Sequence, residues 1–154
     1  MDFDLSEEQS LLKDTVQRWA SDTYASIEDL AAARAQPLGF AEAKWAELAE
    51  LGLLGLPFCE ADGGFGGGPV ETLVVMEALG RVMAPEPYFA SVILGGGALR
   101  LAGTEAQRAA LLPGLMDGTA RLAFAHSEVQ ARYDLNDVAT AASAWCSTPM
   151  RPRR

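Results

Sequence analysis

The glycine-rich stretch LPFCEADGGFGGG, residues 56–68, has the composition of a loop that could bind a phosphate group. A Walker-type loop requires a lysine and a hydroxyl residue after its last glycines, and a dinucleotide-binding loop requires a strand before them. Here a predicted helix precedes the stretch, and Pro69-Val70-Glu71 follows it. Glu71 would lie in the first turn of the next helix, where its charge already complements the helix dipole. The pattern therefore favours a plain turn between two helices over a phosphate site.

Other residues near this loop do not form a recognisable catalytic or metal-binding set. Glu60, Asp62 and Glu71 are close in sequence, but nothing pairs them across a reacting centre. Solvated caps are the better interpretation, and we assign no catalytic base. Cys59 and Cys146 lack the paired spacing of a zinc site or a redox dithiol, so we expect two free thiols.

Composition and charge exclude several classes of partner. The chain has 154 residues, 49% of them hydrophobic, and a formal net charge of −9. That charge has the wrong sign for nucleic acid or an anionic membrane. Residues 1–8 are acidic where a signal peptide is basic, so we expect a cytoplasmic protein. The apolar stretch 89–99 is about half as long as a bilayer span, which predicts a buried helix and no membrane span.

Six helices are expected from the apolar periodicity and the capping signals. Ser6 to Gln9 forms a capping box that starts a first helix, and Thr104 to Gln107 forms another that starts a sixth helix ending near Pro113. The four helices between them are expected from Ser26 to Arg34, from Ala41 to Leu51, from Pro69 onward and from Phe89 to Leu101.

Two of these helices have apolar faces that predict burial. In the third helix the predicted buried stripe is Trp45, Leu48 and Leu51. The fourth is apolar around so much of its circumference that we expect it to be central; the residues concerned are Val70, Leu73, Val74, Met76, Leu79, Val82 and Met83.

The pattern changes after the sixth helix. Arg121-Leu122-Ala123-Phe124-Ala125 alternates as a short strand does, which predicts the entry to a separate β domain with a boundary near Gly118. We therefore expect a mainly α fold. A six-helix orthogonal bundle over residues 1–118 would be followed by the start of a β domain over residues 119–141.

The order of these pieces resembles the acyl-CoA dehydrogenase family from about residue 1 to residue 141. Four stretches carry the resemblance: DFDLSEEQSLLKDTVQRW, WAELAELGLLGLPFCEADGGFGG, VVMEALGR and LAGTEAQRAALLPGLMDGTARLAFAHSE. Two further stretches, GLLGLPFCEADGGFGGGPVETLVVMEALG and ARYDLNDVATAA, are similar to the small subunits of two-component members such as pimeloyl-CoA dehydrogenase.

The resemblance implies a flavoenzyme with an N-terminal helical domain, a middle β domain and a C-terminal helical bundle. In this family a carboxylate takes the α proton of an acyl-CoA, and the β hydride goes to FAD. Electrons usually leave to an electron-transfer flavoprotein, and the intact enzymes are homo- or hetero-oligomers. The glycine-rich loop of the family joins two helices of the first domain and does not hold the flavin pyrophosphate.

The resemblance also implies cofactor contacts. The family's flavin-contacting turn, roughly Ala-x-Thr-Glu-Pro-x-Ala-Gly-Ser-Asp, falls on residues 125–134. Ser127 keeps a hydroxyl for the flavin ring, and the backbones of Phe124 and His126 would contribute. His126 is the only histidine, and a hydrogen-bonded residue at a strand end is favoured over a catalytic role.

Three residues of this turn, Val129, Arg132 and Tyr133, depart from the family pattern. Arg132 replaces a glycine and Tyr133 replaces a serine, where the family places cofactor phosphate and substrate. Tyr133 is therefore a candidate substrate contact. Either the ligand is held differently, for example by an arginine-phosphate pair, or this subunit has weakened flavin binding.

The predicted fifth helix matches the one that lines the acyl tunnel in the family. Ala90, Leu94 and Gly95 are therefore candidate residues of the tunnel wall. Ordinary core packing is the alternative for each of them.

The last residues, ASAWCSTPMRPRR, 142–154, break the family pattern with three arginines and two prolines. Codons for Ala-Trp-Cys-Ser-Thr, regrouped one base earlier, permit Gly-Val-Val-Leu-Asp, which is similar to the strand expected here. We expect a frameshifted or truncated end, and the alternative is a natural short protein with a disordered basic tail. A truncated dehydrogenase would be inactive alone. Two other functions stay open, a non-catalytic partner subunit of a heteromeric dehydrogenase and a stand-alone helical binding module.

Overall fold

The structure, a computed structural model, describes residues 4–132, 134 and 136–141. The chain divides into two compact units, residues 1–124 and residues 125–154. The first unit contains α-helices with these bounds: α1 Glu7–Thr23, α2 Ile27–Arg34, α3 Glu42–Glu50, α4 Pro69–Arg81, α5 Gly97–Ala102 and α6 Glu105–Met116. It also contains a short 3₁₀ turn, Glu60–Asp62, and a π-helix, Tyr88–Gly96, that runs directly into α5. The predicted mainly helical fold is confirmed.

Reciprocal side-chain caps set the starts of the first and last helices. At α1, Ser6 Oγ accepts the Gln9 N–H and Gln9 Oε1 accepts the Ser6 N–H, at 3.1 and 3.0 Å. Thr104 and Gln107 exchange the same two bonds at α6, at 3.3 and 2.9 Å. Each box satisfies two amides that the helix itself leaves unpaired, so both predicted starts are confirmed.

The apolar core of the first unit is built by the helices and by the turns after α3. Its largest fully buried side chains are Trp45, Tyr88, Phe58, Leu48, Leu53, Leu54, Leu112, Leu115, Val16, Val75 and Val92. Trp45 Nε1 donates to Gly118 O at 3.0 Å, and Tyr88 Oη donates to Leu53 O at 3.1 Å. Both aromatic rings therefore fill the core while their polar atoms keep a partner.

Some predicted burial is wrong. Leu51 is 41% exposed because α3 ends at Glu50, and the following turn carries Leu51 off the buried stripe. Helix α4 packs along α1 and buries one stripe, Val74, Val75, Ala78 and Leu79. The exposed apolar residues of this region are Val70, Leu73 and Met83. Helix α4 is therefore half-buried in this unit and not surrounded.

Two predicted boundaries also differ from the structure. Helix α6 continues three residues past Pro113 to Met116, and the Pro113 carbonyl accepts the Asp117 N–H at 3.0 Å. The run 121–125 does not form a strand within the described residues. A strand needs a neighbouring strand to complete its hydrogen bonds, and the described part of the chain contains none.

The fold does not decide every prediction. The assignment of residues 119–141 to the start of a β domain stays a prediction. The tail, residues 142–154, lies outside the described residues, as do Tyr133 and Cys146. No described helix is both long and apolar enough to cross a bilayer.

Candidate functional site

The glycine-rich loop folds back on its own first residues. Gly67 N–H donates to Leu56 O and Gly66 N–H donates to Phe58 O, both at 2.7 Å. A Cβ on Gly64 would lie 2.3 Å from Phe58 O, and one on Gly67 would lie 2.8 Å from Leu56 O. Side chains at these two positions would prevent that approach, so the glycines are explained by the turn itself.

The start of α4 after this loop already carries a carboxylate. Glu71 Oε2 accepts the Gly68 N–H, and Glu71 Oε1 accepts a hydrogen bond from Gln9 Nε2, both at 2.7 Å. The bond from Gln9 is the main cause of a lowered pKa of the Glu71 carboxyl. An incoming phosphate would have to displace this carboxylate from the positive helix end, which agrees with the plain-turn interpretation.

The remaining acidic residues of the loop have structural partners. Asp62 accepts from Cys59 Sγ at 3.2 Å and from Arg108 Nε at 3.1 Å, and these bonds lower the pKa of its carboxyl. Cys59 is a free, exposed thiol. Within the described residues, no group of three or more His, Cys, Asp or Glu side chains is placed to hold a metal ion. Asp62 thus ties the loop to α6.

The π-helix has an accessible side and a buried side. Ala90 is exposed and Leu94, one turn later, is half-buried, so both are accessible to a ligand. Ser91 and Gly95 are buried. A Cβ on Gly95 would lie 2.6 Å from the Cβ of Leu122, so Gly95 packs against Leu122 of the same chain. Long π-helices are rare, and π-bulges occur often at functional sites.

The segment that follows α6, residues 117–124, completes the first unit and packs against its other elements. Leu122 N–H donates to Ser91 Oγ at 2.8 Å. The Arg121 guanidinium lies 5.5 Å from the centre of the Phe40 ring and 3.3 Å from the Glu42 carboxylate. Phe124, the last residue of this unit, is half exposed. Ser91 is not among the residues predicted for the site, since the sequence marks it only as a hydroxyl residue inside the apolar run FASVILGGG.

The second unit contains the predicted flavin-contacting turn. Glu128 accepts hydrogen bonds from Ala139 N–H at 2.8 Å and from Gln130 Nε2 at 2.6 Å, and the latter is the main cause of its lowered pKa. Glu128 also accepts the Thr140 N–H at 3.0 Å. The carboxylate therefore closes a loop of about a dozen residues within this unit. His126 and Ser127, before it, are exposed.

Arg132 has a left-handed backbone conformation. Its φ is +52°, in the left-handed region where residues other than glycine are uncommon. The side chain is exposed. An exposed guanidinium suits a phosphate and an exposed hydroxyl at Ser127 suits a flavin ring, so the chemistry of these donors fits a flavin dinucleotide.

The comparisons with known proteins point to one family. The family described as acyl-CoA dehydrogenase, N-terminal domain, matches residues 6–119. The probable acyl-CoA dehydrogenase YngJ of Bacillus subtilis is 31% identical over 144 residues, which are 92% of this chain and 37% of that protein. The chain thus spans little more than a third of the length of this curated relative.

Solved structures agree with this relationship. The steroid ACAD Tcur3481-Tcur3483, as its G363A variant, is 36% identical with a TM-score of 0.72, covering 80% of this chain and 33% of that one. The ChsE4-ChsE5 complex from Mycobacterium tuberculosis is 28% identical with a TM-score of 0.71, covering 80% of this chain and 34% of that one.

Proposed function

Since the chain belongs to the acyl-CoA dehydrogenase family, we propose that the full-length protein containing it oxidises an acyl-CoA to the 2-enoyl-CoA. The single observation that carries the proposal is the match of residues 6–119 to the N-terminal domain of this family of flavoproteins. The chain would supply the helical domain and the turn that meets the cofactor. FAD, when bound, accepts the hydride from the β carbon.

In this proposal the residues of this chain bind the cofactor and the substrate and orient them. The Ser127 hydroxyl donates a hydrogen bond to the flavin ring, and the backbones of Phe124 and His126 contact the same ring. The accessible side of the π-helix, with Ala90 and Leu94, contributes to the wall around the acyl chain and excludes water from it. Tyr133 contacts the substrate. Alignment of substrate and cofactor is the protein's main contribution in such a reaction.

No residue of this chain is proposed as the base that takes the α proton. The polar groups near the glycine-rich loop are already used by the fold, as the Asp62 and Glu71 hydrogen bonds indicate. We therefore expect residues 1–154 alone to be inactive. An electron-transfer flavoprotein is the proposed electron acceptor, and the cytoplasm is the proposed location.

A second candidate function is that of a partner subunit in a heteromeric dehydrogenase. The observation that favours it is Arg132, which adds a side chain at a position of the turn that keeps a glycine-like φ of +52°. Each of the two similar structures carries a two-part name, Tcur3481-Tcur3483 and the ChsE4-ChsE5 complex. In such an assembly the flavin would be bound by the partner.

The test uses the full-length protein that contains this sequence, purified with and without excess FAD. We expect a bound flavin spectrum and reduction of an electron-acceptor dye when acyl-CoA thioesters of several chain lengths are added. Ser127→Ala should lower FAD affinity roughly tenfold, since one hydrogen bond to the ring is lost. Ser10→Ala, at an exposed serine of α1, is the matched control and should have no effect.

The outcomes separate the two candidate functions. Flavin binding and dye reduction by the single full-length protein support the enzyme. Absence of flavin, together with co-purification of a flavin-bearing partner, supports the partner subunit. A protein that binds flavin but reduces no dye with any acyl-CoA contradicts the proposed oxidation.

A further inference from the structure

We infer that Ser91 and Gly95 are positioning residues for the segment 122–124, which ends at the proposed flavin contact Phe124; the inference rests on the proposed flavin chemistry. Both residues lie on the buried side of the π-helix. Both meet Leu122, which precedes Phe124 by two residues. Neither residue would touch the flavin, since the chain between Leu122 and Phe124 carries their effect.

The first contact is a hydrogen bond between a side chain and the backbone. Ser91 is 0% exposed, and its Oγ accepts the Leu122 N–H at 2.8 Å. Two residues earlier, Ala120 N–H donates to Gly114 O at 2.7 Å. A chain without a neighbouring strand has few other ways to satisfy its amides, so the Ser91 hydroxyl takes the place of a strand partner at this point.

The second contact depends on the missing side chain of Gly95. A Cβ there would lie 2.6 Å from Leu122 Cβ, 3.1 Å from Leu122 C and 3.3 Å from Ala123 N. Two of these three atoms belong to the backbone, which cannot rotate away as the end of a flexible side chain can. Alanine at this position therefore has to push the segment off the π-helix.

The next glycine has a different environment and provides an internal control. A Cβ on Gly96 would lie 2.5 Å from Phe58 Cζ and 2.8 Å from Leu115 Cδ2, both in the apolar core. Gly95→Ala and Gly96→Ala thus add the same methyl group to neighbouring residues of one helix. Only Gly95→Ala adds it against the segment that leads to Phe124.

This arrangement gives the π-helix two roles in the proposed reaction. Its accessible side carries Ala90 and Leu94, the proposed acyl-tunnel residues, and its buried side holds Leu122. One rigid element therefore fixes both the wall around the acyl chain and the approach of the backbone to the flavin. Errors of about 1 Å in such an alignment can reduce a rate roughly a hundredfold.

The contact with Leu122 is tested in the chain of residues 1–154 by amide hydrogen exchange. We expect the Leu122 N–H to exchange roughly tenfold faster in Ser91→Ala than in the wild type, because the acceptor is lost. Ser10→Ala is the matched control and should leave this amide unchanged. Equal Leu122 exchange in wild type and Ser91→Ala, with helix content preserved, overturns the inference.

The positioning role is tested in the full-length protein loaded with FAD. We expect Ser91→Ala and Gly95→Ala to shift the absorption maximum of the bound flavin and to weaken FAD binding roughly tenfold. Gly96→Ala should lower the unfolding temperature and leave the flavin spectrum unchanged. Because Ser91→Ala adds no atoms, it decides the question if Gly95→Ala fails to fold.

The failures of the two proposals are distinguishable. Flavin bound by the wild type, with the spectrum unchanged in both Ser91→Ala and Gly95→Ala, overturns the positioning role and leaves the proposed oxidation intact. A wild-type protein that binds no flavin overturns the proposed flavin chemistry and the positioning role together. The Leu122 exchange experiment does not depend on flavin and still decides whether Ser91 holds the segment.

Discussion

The Tyr24 hydroxyl donates a 2.5 Å hydrogen bond to Oε1 of Glu86, and both side chains are buried. The second carboxyl oxygen of Glu86 is also buried, and no described residue forms a hydrogen bond with it. Removal from water raises the pKa of the Glu86 carboxyl, and the bond from Tyr24 opposes that shift only in part. The segment that enters the π-helix therefore contains a carboxyl group whose ionised form is destabilised.

The first prediction concerns the pH dependence of stability. Because the folded state raises the pKa of Glu86, folding is favoured by protonation of this carboxyl at low pH. This stabilisation is fully present below the pKa that Glu86 has in the unfolded chain, and it is lost as the pH rises through the pKa of Glu86 in the folded protein. Glu86→Gln keeps an oxygen acceptor for Tyr24 and cannot ionise, so it should remove this loss. At pH 8 we expect the free energy of unfolding of Glu86→Gln to exceed that of the wild type by about 1 kcal/mol.

This prediction is measured by chemical denaturation at several pH values between about 4 and 8. Glu50→Gln, at an exposed glutamate at the end of α3, is the matched control and should not alter the pH dependence. A Glu86→Gln protein with the wild-type pH profile would show that Glu86 is not the group concerned.

A second prediction separates the hydroxyl from the ring of Tyr24. Tyr24→Phe removes the hydroxyl that donates to Glu86 Oε1 and leaves a buried carboxyl without this donor. We expect a loss of about 1–3 kcal/mol in the free energy of unfolding. In the Glu86→Leu background the same change should cost much less, because no buried acceptor remains. Equal costs in both backgrounds, measured in a double-mutant cycle, would exclude the coupling.

Local signals in the sequence were sufficient for the helix starts and insufficient for the contacts between distant segments. Ser6 and Thr104 each act on a residue three positions away, so the printed sequence contains both partners of the bond. Ser91 and Leu122 are 31 residues apart, and their bond depends on a π-helical turn that apolar periodicity does not indicate. Glu86 gave no signal beyond two flanking prolines, because its burial depends on the distant Tyr24.

A third prediction uses two glycines with the same φ of +80°, Gly39 and Gly118. A Cβ on Gly39 has no neighbour within 4 Å, whereas one on Gly118 would lie 3.2 Å from Ala49 Cβ and 3.5 Å from the Trp45 ring. Gly39→Ala should therefore cost only the backbone strain, about 1–2 kcal/mol. Gly118→Ala should cost more, since the carbonyl of Gly118 also accepts the Trp45 indole N–H. Thermal unfolding of the two variants tests this order, and equal losses would contradict it.

The last prediction concerns Arg132, which pairs a strained backbone with an exposed charge. If its guanidinium holds a phosphate of FAD, Arg132→Asn should weaken FAD binding by the full-length protein roughly tenfold, because asparagine tolerates positive φ but lacks the guanidinium. Arg132→Gly, which also relieves the strain, should weaken binding to a similar extent. Tighter FAD binding by Arg132→Gly would instead mean that the side chain obstructs the cofactor, as the partner-subunit function requires. A fluorescence titration of FAD into the apoprotein, with Arg100→Asn at the exposed Arg100 of α5 as the control, measures the difference.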